Sequence, residues 1–154
     1  MREVCYRGKC IKDDDMYGWI QGYYVCLEDI WKKRKTHRIY NGFAESDCGE
    51  FYGDYYEVDP KTVGQFTGLL DKNNKRIYEG DILEYTSYTG TGIKEINRAI
   101  VFWDDHRWSY EIIYSNRWTE NWNNKGHKCD IYKEIVAKYG EVIGNIYDNP
   151  ELIG

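Results

Sequence analysis

At 154 residues the chain has the length of one domain or one and a half, enough to bury about 68–70% of its unfolded surface and to fold without disulfide or metal staples. Its formal net charge of −5 argues against coating a phosphate backbone by bulk charge and leaves only a local basic patch for that task. With 16 Tyr, 6 Trp and 4 Phe, and 15 Gly against 2 Pro, the composition favours short strands and tight turns over long helices.

No apolar run approaches the ~18 residues of a membrane span, and the Met-Arg-Glu start lacks the apolar core of a secretory signal, so a soluble cytoplasmic protein that makes no membrane contact is expected. The cysteines Cys5, Cys10, Cys26, Cys48 and Cys129 form an odd set without a C-x-x-C pair, which suits free thiols in a reducing compartment. Only His37, His106 and His127 accompany them, none at finger spacing from a cysteine pair, so neither a metal nor a cofactor is expected.

In chain order, Val4 and Tyr6 alternate with Cys5 and Arg7 up to Gly8, a first strand, and Lys12 to Asp15 makes a solvated turn. The three consecutive aspartates lack the alternating spacing and distal Glu of a calcium loop. Tyr17 to Leu27 reads as a second strand interrupted by glycine. Next comes the one dense basic run, Trp31-Lys32-Lys33-Arg34-Lys35 with His37 and Arg38, flanked by Ile30 and Tyr40. Cations neutralise phosphates while aromatics stack bases, so Trp31, Lys32, Lys33, Arg34, Lys35 and Arg38 are the candidate nucleic-acid contacts. The plainer alternative is a Lys-rich hairpin tip that keeps a strand edge soluble.

Glu45 to Asp54 is acidic and glycine-punctuated, a loop or a short strand with turns that marks a subdomain boundary. Asp59-Pro60 has the chemistry of a capped helical turn that feeds Gln65. Gln65-Phe66-Thr67-Gly68-Leu69-Leu70 and Lys75 to Tyr85 are two apolar runs joined by an Asp71-Lys72-Asn73-Asn74 turn, the second passing through Glu79-Gly80-Asp81. These two runs are strands folded against each other. Glu79, Gly80 and Asp81 also form a candidate docking surface for a basic partner.

Ile96 to Trp103 and Trp108 to Tyr114 flank Asp104 to Arg107 as a hairpin, with Trp108, Tyr110, Ile112 and Tyr114 alternating onto one face. The strand, loop and long hairpin together resemble a small SH3-like barrel. Asn116 to Lys128 has no clean period, whereas Asp130 to Lys138 has helical spacing behind an Asp cap and predicts a short helix. Glu141 to Ile153 reads as a strand, an Asn149-Pro150 break and a final helical turn.

The central stretch resembles the signature of the YopX family, small proteins of phages and prophages in Gram-positive bacteria, in which a pattern close to Q-(F/Y)-T-G-L-x-D-x-x-G-x-x-I-Y-E-G-D-I recurs. Asn74 stands where the family usually has Gly. The likeness extends back through Pro60, Thr62, Val63 and Gly64, and forward to Glu141-Val142-Ile143-Gly144-Asn145-Ile146-Tyr147-Asp148-Asn149-Pro150-Glu151-Leu152, which is similar to the family's terminal motif. At the start, Met1-Arg2-Glu3 matches while Cys5 and Tyr6 replace a Lys-Phe pair. The resemblance implies an assembled accessory protein.

The expected fold is therefore α+β and β-rich, with N-terminal strands and loops packed on a C-terminal SH3-like β-barrel that carries one short helix. The expected regions are 1–57 and 58–154. No catalytic motif is present: His106 beside Asp104 and Asp105, and Cys48, are the only acid/base and nucleophile candidates, and neither has a recognisable partner. The expected function is non-enzymatic contact with a host or phage protein, as a homo-oligomer. Nucleic-acid binding through residues 31–38 is the alternative.

Overall fold

The computed structural model describes residues 3–11, 18–31, 33–42, 44–45, 51–88, 90–104, 107–116, 126, 128–130 and 139–153. The chain divides into two compact units, Met1–Phe66 and Thr67–Gly154.

The first unit is an antiparallel sheet. Strands β1 (Tyr6–Lys9), β2 (Trp19–Asp29), β3 (Arg34–Tyr40) and β6 (Tyr55–Glu57) lie in the order β6-β3-β2-β1, while β4 (Ala44–Glu45) and β5 (Phe51–Tyr52) form a separate small pair. Strand β7 (Gly64–Leu70) begins here, with Tyr6 opposite Gln65. The Asp-Pro signal produces a 3₁₀ turn over Pro60–Thr62, in which the Asp59 carboxylate accepts from the Lys61 N–H at 3.0 Å. That turn is tied to β1, because the Lys9 N–H donates to the Thr62 hydroxyl at 2.8 Å and the Asp59 N–H to the Lys9 carbonyl at 2.9 Å. Among the described residues of this unit, Ile39, Val58, Cys5 and Phe66 are the buried apolar ones. Gly8 is required by close approach: a Cβ there would lie 3.0 Å from the Val58 Cβ.

In the second unit β8 (Arg76–Tyr78) follows β7, and a five-stranded antiparallel sheet runs in the order β12-β11-β10-β9-β13. Its members are β9 (Asp81–Tyr88), β10 (Lys94–Asp104), β11 (Arg107–Ser115), β12 (Lys128–Asp130) and β13 (Gly140–Asn145), and a 3₁₀ turn at Pro150–Leu152 ends the described chain. Ile77, Leu83, Val101, Trp108 and Val142 form the core cluster, with Leu69 packed against it.

The architecture is all-β, not the expected α+β fold with an SH3-like barrel. The five-stranded sheet stays open, with β12 and β13 as its edges. The physical reason lies at β13, whose outer backbone groups are met by the 71–75 turn rather than by a closing strand (below). Asp130, expected to cap a helix, is the last residue of β12, and residues 131–138 of that expected helix lie outside the described ones. The predicted β10–β11 hairpin forms, but a register shift at Arg98/Ala99 sets Ala99 opposite Ile112 and Arg98 opposite Tyr114. The extra residue turns Tyr114 off the Trp108 face, and it stacks under Arg98 instead, 5.2 Å from guanidinium carbon to ring centroid.

Candidate functional site

The polar residues of the central signature are held inside the second unit by backbone bonds. Asp71 is 3% exposed. One carboxylate oxygen accepts from the Asn73 and Lys75 N–H groups at 2.8 and 2.9 Å, closing the β7–β8 turn, and the other accepts from the Val142 N–H of β13 at 2.9 Å. The Lys72 N–H donates to the Gly140 carbonyl at 2.9 Å and the Lys75 ammonium to the Val142 carbonyl at 3.4 Å, so the turn covers the β13 edge. Burial alone raises the Asp71 pKa, but the Val142, Lys75 and Asn73 donors, together with the Lys75 charge, outweigh it and hold the carboxyl below its usual range. On the surface, a hydrogen bond to Glu141 holds the Lys72 ammonium above its usual range.

The other signature residues act similarly. The Thr67 hydroxyl donates to the Ile77 carbonyl at 2.9 Å and accepts from the Leu69 N–H at 3.1 Å, bridging β7 and β8 around Gly68. Of the candidate docking trio, Glu79 is half-buried and Gly80 and Asp81 are buried. Asp81 accepts from the Tyr78 N–H at 2.8 Å, and the Gly80 carbonyl accepts from the Ile146 N–H at 2.9 Å. In the terminal motif, the Asn145 side-chain oxygen accepts from the Tyr147 and Asp148 N–H groups at 2.9 and 3.0 Å. The central and terminal motifs are thus two halves of one backbone-bonding arrangement.

The basic run lies at the end of the β2–β3 hairpin in the first unit. Ile30 and Trp31 in the turn are 81% and 96% exposed. Lys33, Arg34 and Lys35 are exposed beside them, and Lys32 lies outside the described residues. The register sets Asp29 opposite Arg34 and Glu28 opposite Lys35, so acidic positions face the cationic ones across the hairpin. Arg38 is drawn away: its guanidinium pairs with Glu57 at 3.6 Å and stacks 4.1 Å from the Tyr55 ring centroid. His37 stacks on Tyr24, whose hydroxyl bonds its Nδ1. Burial chiefly, with Cys26 and Tyr6 adding to it, raises the Tyr24 pKa. Beside β3 runs a groove of about 320 Å³, with Arg34, Lys35 and His37 on one side and Glu57, Val58 and Asp59 on the other.

A second concavity, of about 380 Å³, belongs to the second unit and went unseen in the sequence. Tyr85, Thr86, Ser87, Tyr88, Tyr110 and Tyr139 line it, so every wall residue carries a hydroxyl and none a charge. Tyr85 and Tyr110 meet edge to face, with centroids 5.8 Å apart. They belong to β9 and β11, the strands that flank β10, and the sequence spacing gives no signal of their contact. Cys48 and His106 lie outside the described residues. Among those described, no cluster of three or more His, Cys, Asp or Glu could hold a metal, Cys5, Cys10 and Cys26 form no disulfide, and no helix is long and apolar enough to cross a membrane.

Comparison with curated proteins found no match. Among solved structures, protein EF1440 from Enterococcus faecalis is similar over 100% of both chains, with a TM-score of 0.54 at 22% identity, a likeness of fold. The family model described as YopX protein matches residues 7–154. That span includes the central and terminal motifs whose backbone bonds hold the second unit together, and the chain belongs to the YopX family.

Proposed function

We propose that the protein is a non-enzymatic accessory protein of a phage or prophage, acting in the host cytoplasm by protein–protein contact and assembling with copies of itself. The observation that carries this reading is the pair Ile30 and Trp31, two large apolar side chains left 81% and 96% exposed at a hairpin tip. Buried aromatic anchors dominate the energetics of protein interfaces, and an exposed pair of this size is the group that a partner would cover. The signature carboxylates, by contrast, bind backbone, which supports a structural role for them rather than a chemical one.

The test is native mass by light scattering, with absorbance at two ultraviolet wavelengths across the same peak. A multiple of the monomer with a protein-only spectrum is expected, reverting toward the monomer in an Ile30→Ser/Trp31→Ser variant. A monomer that binds no host or phage protein, with or without those changes, overturns the reading.

The clustering of Trp31, Lys33, Arg34 and Lys35 favours nucleic-acid binding as the second reading, and the opposing Glu28 and Asp29 positions weigh against it. It predicts a peak rich in nucleic-acid absorbance that salt strips away and that Lys33→Glu/Arg34→Glu abolishes.

A further inference from the structure

The cleft of about 380 Å³ in the second unit gathers residues from three strands. Tyr85, Thr86, Ser87 and Tyr88 belong to β9 and Tyr110 to β11, while Tyr139 directly precedes β13, whose Gly140 stands opposite Tyr85. Tyr88 and Tyr139 are 66% and 42% exposed, so both present aromatic surface that a bound molecule can cover. Ser87 is held in one orientation. Its hydroxyl donates to the Glu95 carboxylate at 3.1 Å and accepts from the Asn97 side-chain amide at 3.0 Å, and the Ser115 hydroxyl donates to the other Glu95 oxygen at 3.2 Å. Asn97 and Ser115 are themselves buried. With its proton committed to Glu95, the Ser87 oxygen can serve a ligand only as an acceptor.

We propose that this cleft binds a short neutral saccharide. The site is independent of the protein-contact reading, since it lies in the other unit and takes a small molecule. A pyranose has an apolar face of C–H groups, which can lie on a tyrosine ring, and a rim of hydroxyls that both donate and accept. The wall matches both features, because each of its residues carries a hydroxyl and four of them are tyrosines. A wall hydroxyl that already bonds inside the protein keeps lone-pair capacity for one more donor, as Ser87 does. The volume falls at the low end of the ~300–1,000 Å³ of small-ligand sites, which suits a short saccharide rather than a long chain. Charge excludes the other classes. Among the described lining residues there is no cation to meet an anion. The Glu95 carboxylate is taken up by two hydroxyls, and Glu84, one residue before the cleft, is paired with Arg98 at 3.0 Å, so a cation finds no open counter-ion. A wholly apolar ligand would strip water from the wall hydroxyls and return no bonds.

The experiment uses the full chain and three neutral trisaccharides, maltotriose, cellotriose and triacetylchitotriose, read by saturation-transfer-difference NMR, with tetramethylammonium and adenosine as the competing chemistries. Saturation transfer to the ring C–H protons of at least one sugar is expected. Its affinity is expected to fall at least about tenfold in a Tyr88→Ala/Tyr139→Ala variant of unchanged circular dichroism, both side chains being exposed enough to remove without opening the core. The same affinity at low and high salt is expected, since no charged group lines the cleft among the described residues. No transfer to any of the three sugars overturns the proposal, as does an affinity that the double variant leaves unchanged. Tighter binding of tetramethylammonium or adenosine than of every sugar overturns it too, and so does a steep loss of affinity with salt.

Discussion

Asp71 illustrates how one side chain organises a neighbourhood. It joins a turn at residues 71–75 to a strand about seventy positions further on, and each of its three bonds goes to a backbone N–H that has few other ways to be satisfied. Replacing it by Ala leaves those donors unpaired in a buried site, and we expect a loss of about 3 kcal/mol, read from urea unfolding at pH 7. The pH dependence follows from the lowered pKa. The unfolded chain takes up the proton near pH ~3.9, the folded carboxyl only below that, so the stabilisation is complete above the unfolded value and is lost as pH falls through the folded one. The stability gap between wild type and Asp71→Asn is therefore expected to be widest at neutral pH and to shrink at pH 3. A gap independent of pH would show that the carboxylate charge is not what the three donors recognise.

For the elements, the turns matter more than strand propensity. Asn74 has φ +63°, a left-handed conformation that Asn tolerates and Gly adopts without strain, so Asn can fill a turn position that suits Gly. Asn74→Ala is expected to cost about 1 kcal/mol and Asn74→Gly less than about half that, by thermal or urea denaturation. Gly144 is restricted for a different reason, since a Cβ there would collide with the Asn149 side-chain oxygen, which accepts from the Asn145 N–H at 3.3 Å. Gly144→Ala should cost about 1–3 kcal/mol and expose the β13 edge, visible as faster hydrogen exchange at Val142. Alternation along β11 was legible as far as Ile112. One additional residue at the bulge sent Tyr114 to the other face, and no local pattern announced it.

At the scale of the whole molecule, function depends on what remains exposed after each unit has satisfied its backbone. Among the described residues of the first unit, the hairpin tip at Ile30 and Trp31 is one such surface. The opposed acidic positions predict that binding to any protein partner is weakly salt-dependent if Ile30 and Trp31 supply the energy, whereas the nucleic-acid reading requires a steep fall in affinity between low and physiological salt. A salt titration of the Ile30→Ser/Trp31→Ser and Lys33→Glu/Arg34→Glu variants separates the two, since each removes one source of affinity and leaves the other in place.

By itself the sequence determined the strand-rich character, the turns at Asp71–Asn74 and Asp59–Pro60, the β2–β3 and β10–β11 hairpins, and the family, because turn chemistry and alternating apolar residues act over a few neighbours and are written locally. The tertiary structure decided that the sheet of the second unit stays open, that Asp71 and Asp81 face inward to backbone, and that Arg38 leaves the basic run for Glu57 and Tyr55. It also decided that four tyrosines from β9, β11 and the approach to β13 share one cleft. Those outcomes depend on which strands become neighbours and in what register. Residues far apart in the chain set that jointly, by competing for the same backbone donors and acceptors, so no local window of the sequence contains it.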